Sequence, residues 1–130
     1  MIKNIGNKTV ALIPARSSSK RIKDKNIKEI NGHPLLAYTI VSAKESKLFD
    51  EIVCVTDSEV YAEIAIQYGA SVPMLRPKNI SGEKSPDVQW VDWIFKIFDH
   101  ENKQFDIFCI LRPTSPLRGK KQLEEVLKNS

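Results

Sequence analysis

The chain has 130 residues, 42% hydrophobic and 28% charged, with 20 Lys and Arg against 16 Asp and Glu and a formal net charge of +4; that suffices for one domain with its own core. Residues 16–28 hold six basic side chains and one acidic one, so the whole surplus lies in one short stretch and a protein that coats nucleic acid with a generally basic surface is disfavoured. No apolar run approaches the ~20 residues of a membrane span, and the N-terminus lacks the long apolar core and small-residue cleavage site of a secretory leader, so the expected location is cytoplasmic.

In chain order, the pattern alternates short apolar runs with longer amphipathic stretches. A first strand is predicted over residues 9–13, where Val10, Leu12 and Ile13 are apolar. The turn signal Asn31, Gly32, His33, Pro34 precedes a helix from Leu35 to about Lys44. A second strand covers residues 51–56. Asp57 follows it and reads as the N-cap of the next helix, residues 58–68. In that helix Tyr61, Ile64, Ala65 and Tyr68 form one stripe, Glu59 sits in the first turn, and Gly69 closes the C-terminus. A short strand is expected over residues 71–74. Ser85 as N-cap and Pro86 at the first helical position open a further helix that runs to about Asp99. Its apolar face is Val88, Val91, Phe95 and Phe98, widened by Trp90, Ile94 and Ile97. A last strand spans residues 107–111, and a final helix begins near Lys120.

Strands alternating with helices predict an α/β fold: four parallel strands, right-handed crossovers, and near-continuous apolar strands covered on both faces. Cys54 and Cys109 lie inside strand-like runs, where a reduced cysteine behaves as a small hydrophobe, and their spacing makes no metal site. His33, in a turn, and His100, at a helix end, have no second ligand or nucleophile at suitable spacing.

Ligands of open α/β sheets sit beyond the carboxyl ends of the strands, so the loops there are the ones to read. After the first strand come Pro14, Ala15 and Arg16, then Ser17, Ser18, Ser19, Lys20 and Arg21. Small residues, hydroxyls, backbone N–H groups and several cations together suit a polyphosphate. A solvated basic run, or a nucleic-acid patch, is the alternative. Residues 14–26 contain no glycine, which excludes both the dinucleotide fingerprint and the Walker loop. Met74 is followed by Leu75, Arg76 and Pro77, again a cation at a strand end. The last such loop, Arg112, Pro113, Thr114, Ser115, Pro116, Leu117, Arg118, holds two hydroxyls between two guanidinium groups on a proline-fixed turn.

Taken together, these residues resemble the cytidylyltransferases that activate 2-keto sugar acids. The nearest likeness is to the CMP-sialic acid synthetase (acylneuraminate cytidylyltransferase) family and its relatives acting on legionaminic and pseudaminic acids. The likeness rests on Ile13-Pro14-Ala15-Arg16 through Ser19-Lys20-Arg21 to Lys25-Asn26, then Gly32 and Pro34, Thr56-Asp57, Leu75-Arg76-Pro77, and Arg112 to Arg118. It implies a Rossmann-like nucleotide-binding sheet of the nucleotide-diphospho-sugar transferase type. The reaction it implies is transfer of CMP from CTP to the anomeric hydroxyl of a nine-carbon 2-keto sugar acid, with Mg²⁺, releasing pyrophosphate for cell-surface polysaccharide synthesis.

By position, Arg16, Lys20 and Lys25 would contact the triphosphate, while Ala15, Ser19 and Asn26 would seat the nucleotide. Arg76 and the turn Arg112, Pro113, Thr114, Ser115 would line the cytidine pocket, and Ser85 would offer it a hydroxyl. The chain departs from the family pattern at Ser17 and Ser18, where glycines are usual, at Arg112, where many members carry Gln, and at Glu83-Lys84, where Asp-Thr is frequent.

Residues 1–130 correspond to the N-terminal, nucleotide-binding part of the family's domain. The metal-binding acidic pair, the sugar-acid pocket and the dimerisation segment belong to the C-terminal part, so no metal ligand is expected within this chain and a homodimer is expected for a full-length relative. CTP and a sugar acid are the expected partners; nucleic acid and membrane are not. CMP-Kdo synthetase is the sister reading, and a noncatalytic nucleotide-binding module is the alternative from another class.

Overall fold

In a computed structural model of the chain, the residues described are 7–16, 29–30, 32–81 and 86–113. The core sheet has three parallel strands, β1 (Thr9–Pro14), β4 (Glu51–Val55) and β5 (Ile107–Ile110), in the order β4-β1-β5. β1 lies in the middle, with Pro14 beside Val55 and Leu12 beside Ile110. Two short strands, β2 (Glu29–Ile30) and β3 (His33–Pro34), pair antiparallel as a separate ribbon. Gly32 turns between them at φ +83°, a backbone angle that favours glycine.

β1 is buried throughout its interior, and its alternate side chains feed two cores. Ala11 and Ile13 pack with Leu36, Ile40 and Ala43 of α1 (Leu35–Ser46) and with Tyr61 and Ala65 of α2 (Glu59–Gln67). Val10 and Leu12 pack on the other face against Trp90, Ile94 and Phe98 of α3 (Asp87–His100). This is the doubly covered parallel sheet that the near-continuous apolar strands imply. The amino end of β1 is pinned from both sides: the Asp50 carboxylate accepts from Thr9 N–H at 2.7 Å, and the Asp106 carboxylate accepts from Lys8 N–H at 2.9 Å.

Several details differ from the sequence-based expectation. The expected strand at residues 71–74 reduces to one parallel bridge, Ser71 beside Val53; there Ser71 donates to Ile52 at 2.8 Å and accepts from Cys54 at 2.9 Å. The prolines at 73 and 77 flank a segment that leaves the ladder after one residue, because a Pro has no N–H to extend it. α3 begins at Asp87, and Pro86 is its N-cap at ψ 153° rather than its first helical residue.

The buried stripe of α3 is Trp90, Ile94 and Phe98, while Val88, expected on that face, is 73% exposed. Burial of the largest side chain sets the rotation of the helix, because a Trp removes more apolar area from water than a Val. α2 is capped by Ser58, whose hydroxyl accepts from Tyr61 N–H at 3.2 Å; Asp57 is therefore not the cap. β5 is exposed at Ile107, Phe108 and Cys109, so only Cys54 of the two cysteines is a core residue. Burial pushes the Cys54 thiol up to about 12. The predicted helix from Lys120 lies outside the described residues.

Candidate functional site

Because β4, β1 and β5 run parallel, their carboxyl ends reach the same edge of the sheet, and the loops read from the sequence gather there. Ala15 prolongs the ladder, its N–H donating to the Val55 carbonyl at 2.9 Å. This delivers Arg16, half-buried, just past the end of β1. Thr56, fully buried after β4, accepts at its carbonyl from Arg76 N–H at 2.7 Å. Leu111 N–H donates to the Leu12 carbonyl at 2.9 Å, and so fixes where Arg112 leaves β5. Backbone bonds from three loops thus place Arg16, Arg76 and Arg112 at one edge.

Arg76 is the most confined of these cations, only 4% exposed. Its Nε donates to the Ile80 carbonyl at 2.9 Å, a terminal guanidinium nitrogen donates to the same oxygen, and its head lies 5.8 Å over the Trp90 ring. The pair of bonds shapes the 3₁₀ turn Lys78–Ile80, further closed by Ser81 Oγ donating to the Pro77 carbonyl at 2.7 Å. Burial lowers the Arg76 pKa, the neighbouring Arg16 charge lowers it further, and the Asp57 and Asp87 carboxylates oppose both. Arg16 and Arg76 are therefore like charges within reach of one another. Their mutual repulsion is offset in part by those two carboxylates.

Two carboxylates balance part of this charge. Asp57, its side chain 5% exposed, takes Lys78 Nζ at 2.8 Å. Asp87 accepts from the Trp90 indole N–H at 2.9 Å through one oxygen and from the Arg112 guanidinium through the other. The Arg112 bond and then the Trp90 bond hold the Asp87 carboxyl below the usual carboxylate range. Both acids are occupied by cations, and among the described residues no three His, Cys, Asp or Glu side chains form a group that could hold a metal ion.

Of the residues singled out from the sequence, the structure brings together Ala15, Arg16, Arg76, Arg112 and Pro113, the last buried beneath its loop. Lys20, Lys25, Ser19, Asn26, Ser85, Thr114 and Ser115 lie outside the described residues. Sequence reading passed over Asp87, Trp90 and Lys78. The signal for the first two was present: an acid and an indole three residues apart in the first turn of a helix share one face and can bond. Lys78 carried no such signal, since its partner Asp57 is 21 positions away. His33, given no role, uses Nδ1 to bond the Tyr68 hydroxyl at 3.1 Å, which ties the β2–β3 ribbon to the end of α2.

A parallel sheet with helices on both faces, and cations where its strands end, defines an α/β protein of the Rossmann-like class. The cytidylyltransferase family profile matches residues 10–129, and the chain belongs to that family. It is 46% identical over 110 residues to a CMP-N,N'-diacetyllegionaminic acid synthase of Legionella pneumophila, covering 84% of this chain and 47% of that one. It is 41% identical over 118 residues to a pseudaminic acid cytidylyltransferase of Campylobacter jejuni, covering 91% of this chain and 51% of that one. The chain thus spans about half the length of these curated relatives. Among solved structures, a CMP:2-keto-3-deoxy-manno-octonic acid synthetase complexed with CTP superposes with TM-score 0.66 at 20% identity, over 95% of this chain and 47% of that one. A cytidylyltransferase from Leptospira borgpetersenii gives TM-score 0.65 at 23% identity, over 95% and 49%. At such identities these two likenesses speak for the fold alone. No helix among the described residues is long and apolar enough to cross a membrane.

Proposed function

We propose that this chain forms the nucleotide-binding part of a cytidylyltransferase that transfers CMP from CTP to a nine-carbon 2-keto sugar acid. The observation that carries the reading is the convergence of Arg16, the buried Arg76 and Arg112 at the shared carboxyl edge of β1, β4 and β5, fixed there by backbone bonds from three loops. Such an edge suits a nucleoside triphosphate, whose charge is spread over several oxygens that a guanidinium such as that of Arg16 can grip. The family match and the names of the relatives supply the base and the acceptor class.

In this reading the sugar acid's anomeric oxygen attacks the α-phosphorus of CTP. A new P–O bond forms, the bond from the α-phosphorus to the bridging oxygen breaks, the electron pair leaves with pyrophosphate, and the hydroxyl proton passes to solvent. Negative charge grows on the nonbridging and leaving oxygens, and in this reading Arg16, Lys20 and Lys25 stabilise it by electrostatics. Arg76 and the turn Arg112 to Ser115 wall the cytidine side, Ala15, Ser19 and Asn26 seat the nucleotide, and Ser85 offers a hydroxyl. Such a reaction draws on the cell's CTP, which places it in the cytoplasm, and the homodimer expected of a full-length relative belongs to the same reading.

The test is titration calorimetry of the chain with CTP, repeated with Arg16→Ala. The substitution should weaken CTP binding by about ten- to a hundredfold, the worth of one charge-assisted contact at about 1.5–3 kcal/mol, while leaving thermal unfolding unchanged. An unchanged affinity overturns the assignment. Pyrophosphate release with a panel of sugar acids that includes the eight-carbon acid then separates the sialic-type reading from the Kdo-type reading and from a binding module.

A further inference from the structure

We propose that Asp87 is a positioning residue of the nucleotide edge, acting through Arg112 and Trp90; the inference rests on the nucleotide-binding reading above. The two oxygens of Asp87 are divided between partners, Trp90 Nε1 at 2.9 Å on one and the Arg112 guanidinium on the other. Trp90 is buried under the Arg76 guanidinium, 5.8 Å from its ring, and Arg76 in turn holds the Ile80 carbonyl. An unbroken series of contacts therefore runs from the loop after β4 to the loop after β5, across the first turn of α3. Asp87 is the link that joins its two halves.

A carboxylate beside a triphosphate site repels the ligand, so its charge alone would weaken anion binding. What it contributes is geometry. An arginine side chain that leaves a strand end has many rotamers, and ordering it costs entropy at the moment of binding. Asp87 sits on a helix, and its carboxylate is braced by an indole that cannot move, so it selects one direction for Arg112 before the ligand arrives. Pre-ordering of this kind raises affinity by lowering the cost of binding.

The two effects of Asp87 have opposite signs, and this makes the experiment decisive. CTP affinity is measured by calorimetry for the chain and for Asp87→Asn, Arg112→Gln and the double variant, with thermal unfolding checked for each. Asp87→Asn keeps an oxygen for Trp90 and removes the charge that holds Arg112; it should weaken CTP binding about fivefold, the upper end for a half-exposed ion pair. In the Arg112→Gln background the same change should have no weakening effect, and Asp87→Glu should restore part of the affinity. Arg112→Gln should also shift the Trp90 indole N–H resonance and leave that of Trp93 in place. Affinity equal to or tighter than that of the parent in Asp87→Asn overturns the inference, as does equal weakening in both backgrounds or an unmoved Trp90 resonance. If Asp87→Asn fails to fold, Asp87→Glu and the resonance carry the same decision. A parent chain that does not bind CTP overturns the nucleotide reading itself, whereas one that binds CTP without regard to Asp87 overturns only this inference.

Discussion

Arg76 carries a full charge into a place where 4% of its surface meets water, and its neighbours show why it stays there. Two of its nitrogens donate to one carbonyl, and its flat face rests on Trp90. Only a guanidinium has the planar fork for the first and the stacking surface for the second. Arg76→Lys keeps the charge but not the fork, so it should destabilise the chain by about 1 kcal/mol, the cost of losing the paired bond to a part-buried carbonyl. Urea unfolding monitored by tryptophan fluorescence checks this; a variant as stable as the parent would show that the grip on Ile80 contributes nothing. The same residue was legible in the sequence as a cation at a strand end. Its role as a brace was not, because the carbonyl and ring it touches are chosen by how a loop and a helix meet.

At the scale of elements, local signals and tertiary demands can be told apart helix by helix. The bounds of α2 were legible to within a residue, since Gly69, at φ +108°, accepts a backbone angle that a side chain would resist, although the cap is Ser58 and not the expected Asp57. Its boundaries are written in side chains that act on their own backbone. Ser58→Ala should therefore cost about 1 kcal/mol, seen as a lower urea midpoint with an unchanged slope. A change in slope would mean that the unfolded state had altered instead. α3 shows the other case. Its apolar positions wrap so far round the helix that several rotations fit the sequence, and contact with Val10 and Leu12 of β1 chooses the one that buries Trp90, Ile94 and Phe98. The segment at 71–74 shows a third: its apolar residues suit a strand, yet Ser71 alone forms a bridge.

For the molecule as a whole, one central strand holds two cores that do not touch, because the sheet stands between them. Leu12 belongs to the α3 side and Ile40 to the α1 and α2 side, and neither is exposed to solvent. Leu12→Ala and Ile40→Ala should each cost about 2–5 kcal/mol, and for separated sites the losses should add. Urea unfolding of the parent, the two single variants and the double variant reads each loss, and the double variant should lose the sum of the two single losses to within about 0.5 kcal/mol. A double-variant loss well away from that sum would contradict the two-core description. β5 is the weak side of this architecture: it pairs with β1, and Ile107 and Phe108 are 49% and 45% exposed. Its apolar sequence promised a covered strand, but coverage is a property of what packs beside it.

The alternation of apolar strands with capped helices determined an α/β chain with a parallel sheet, and the residues following each strand determined which loops carry cations. Both follow from forces that act over a few residues, hydrophobic period and side chains that bond their own backbone. Tertiary structure decided the remainder: that Arg16 and Arg76 share one edge of the sheet, that Asp57 pairs with Lys78 rather than capping α2, and that Asp87 links Trp90 to Arg112. These contacts join residues on different loops or elements, or depend on the rotation of α3. Their partners are fixed only once parallel strands bring their ends to one edge. Arg16, the first cation of the basic run, thus lies at an edge whose geometry is set by residues far from it in the chain.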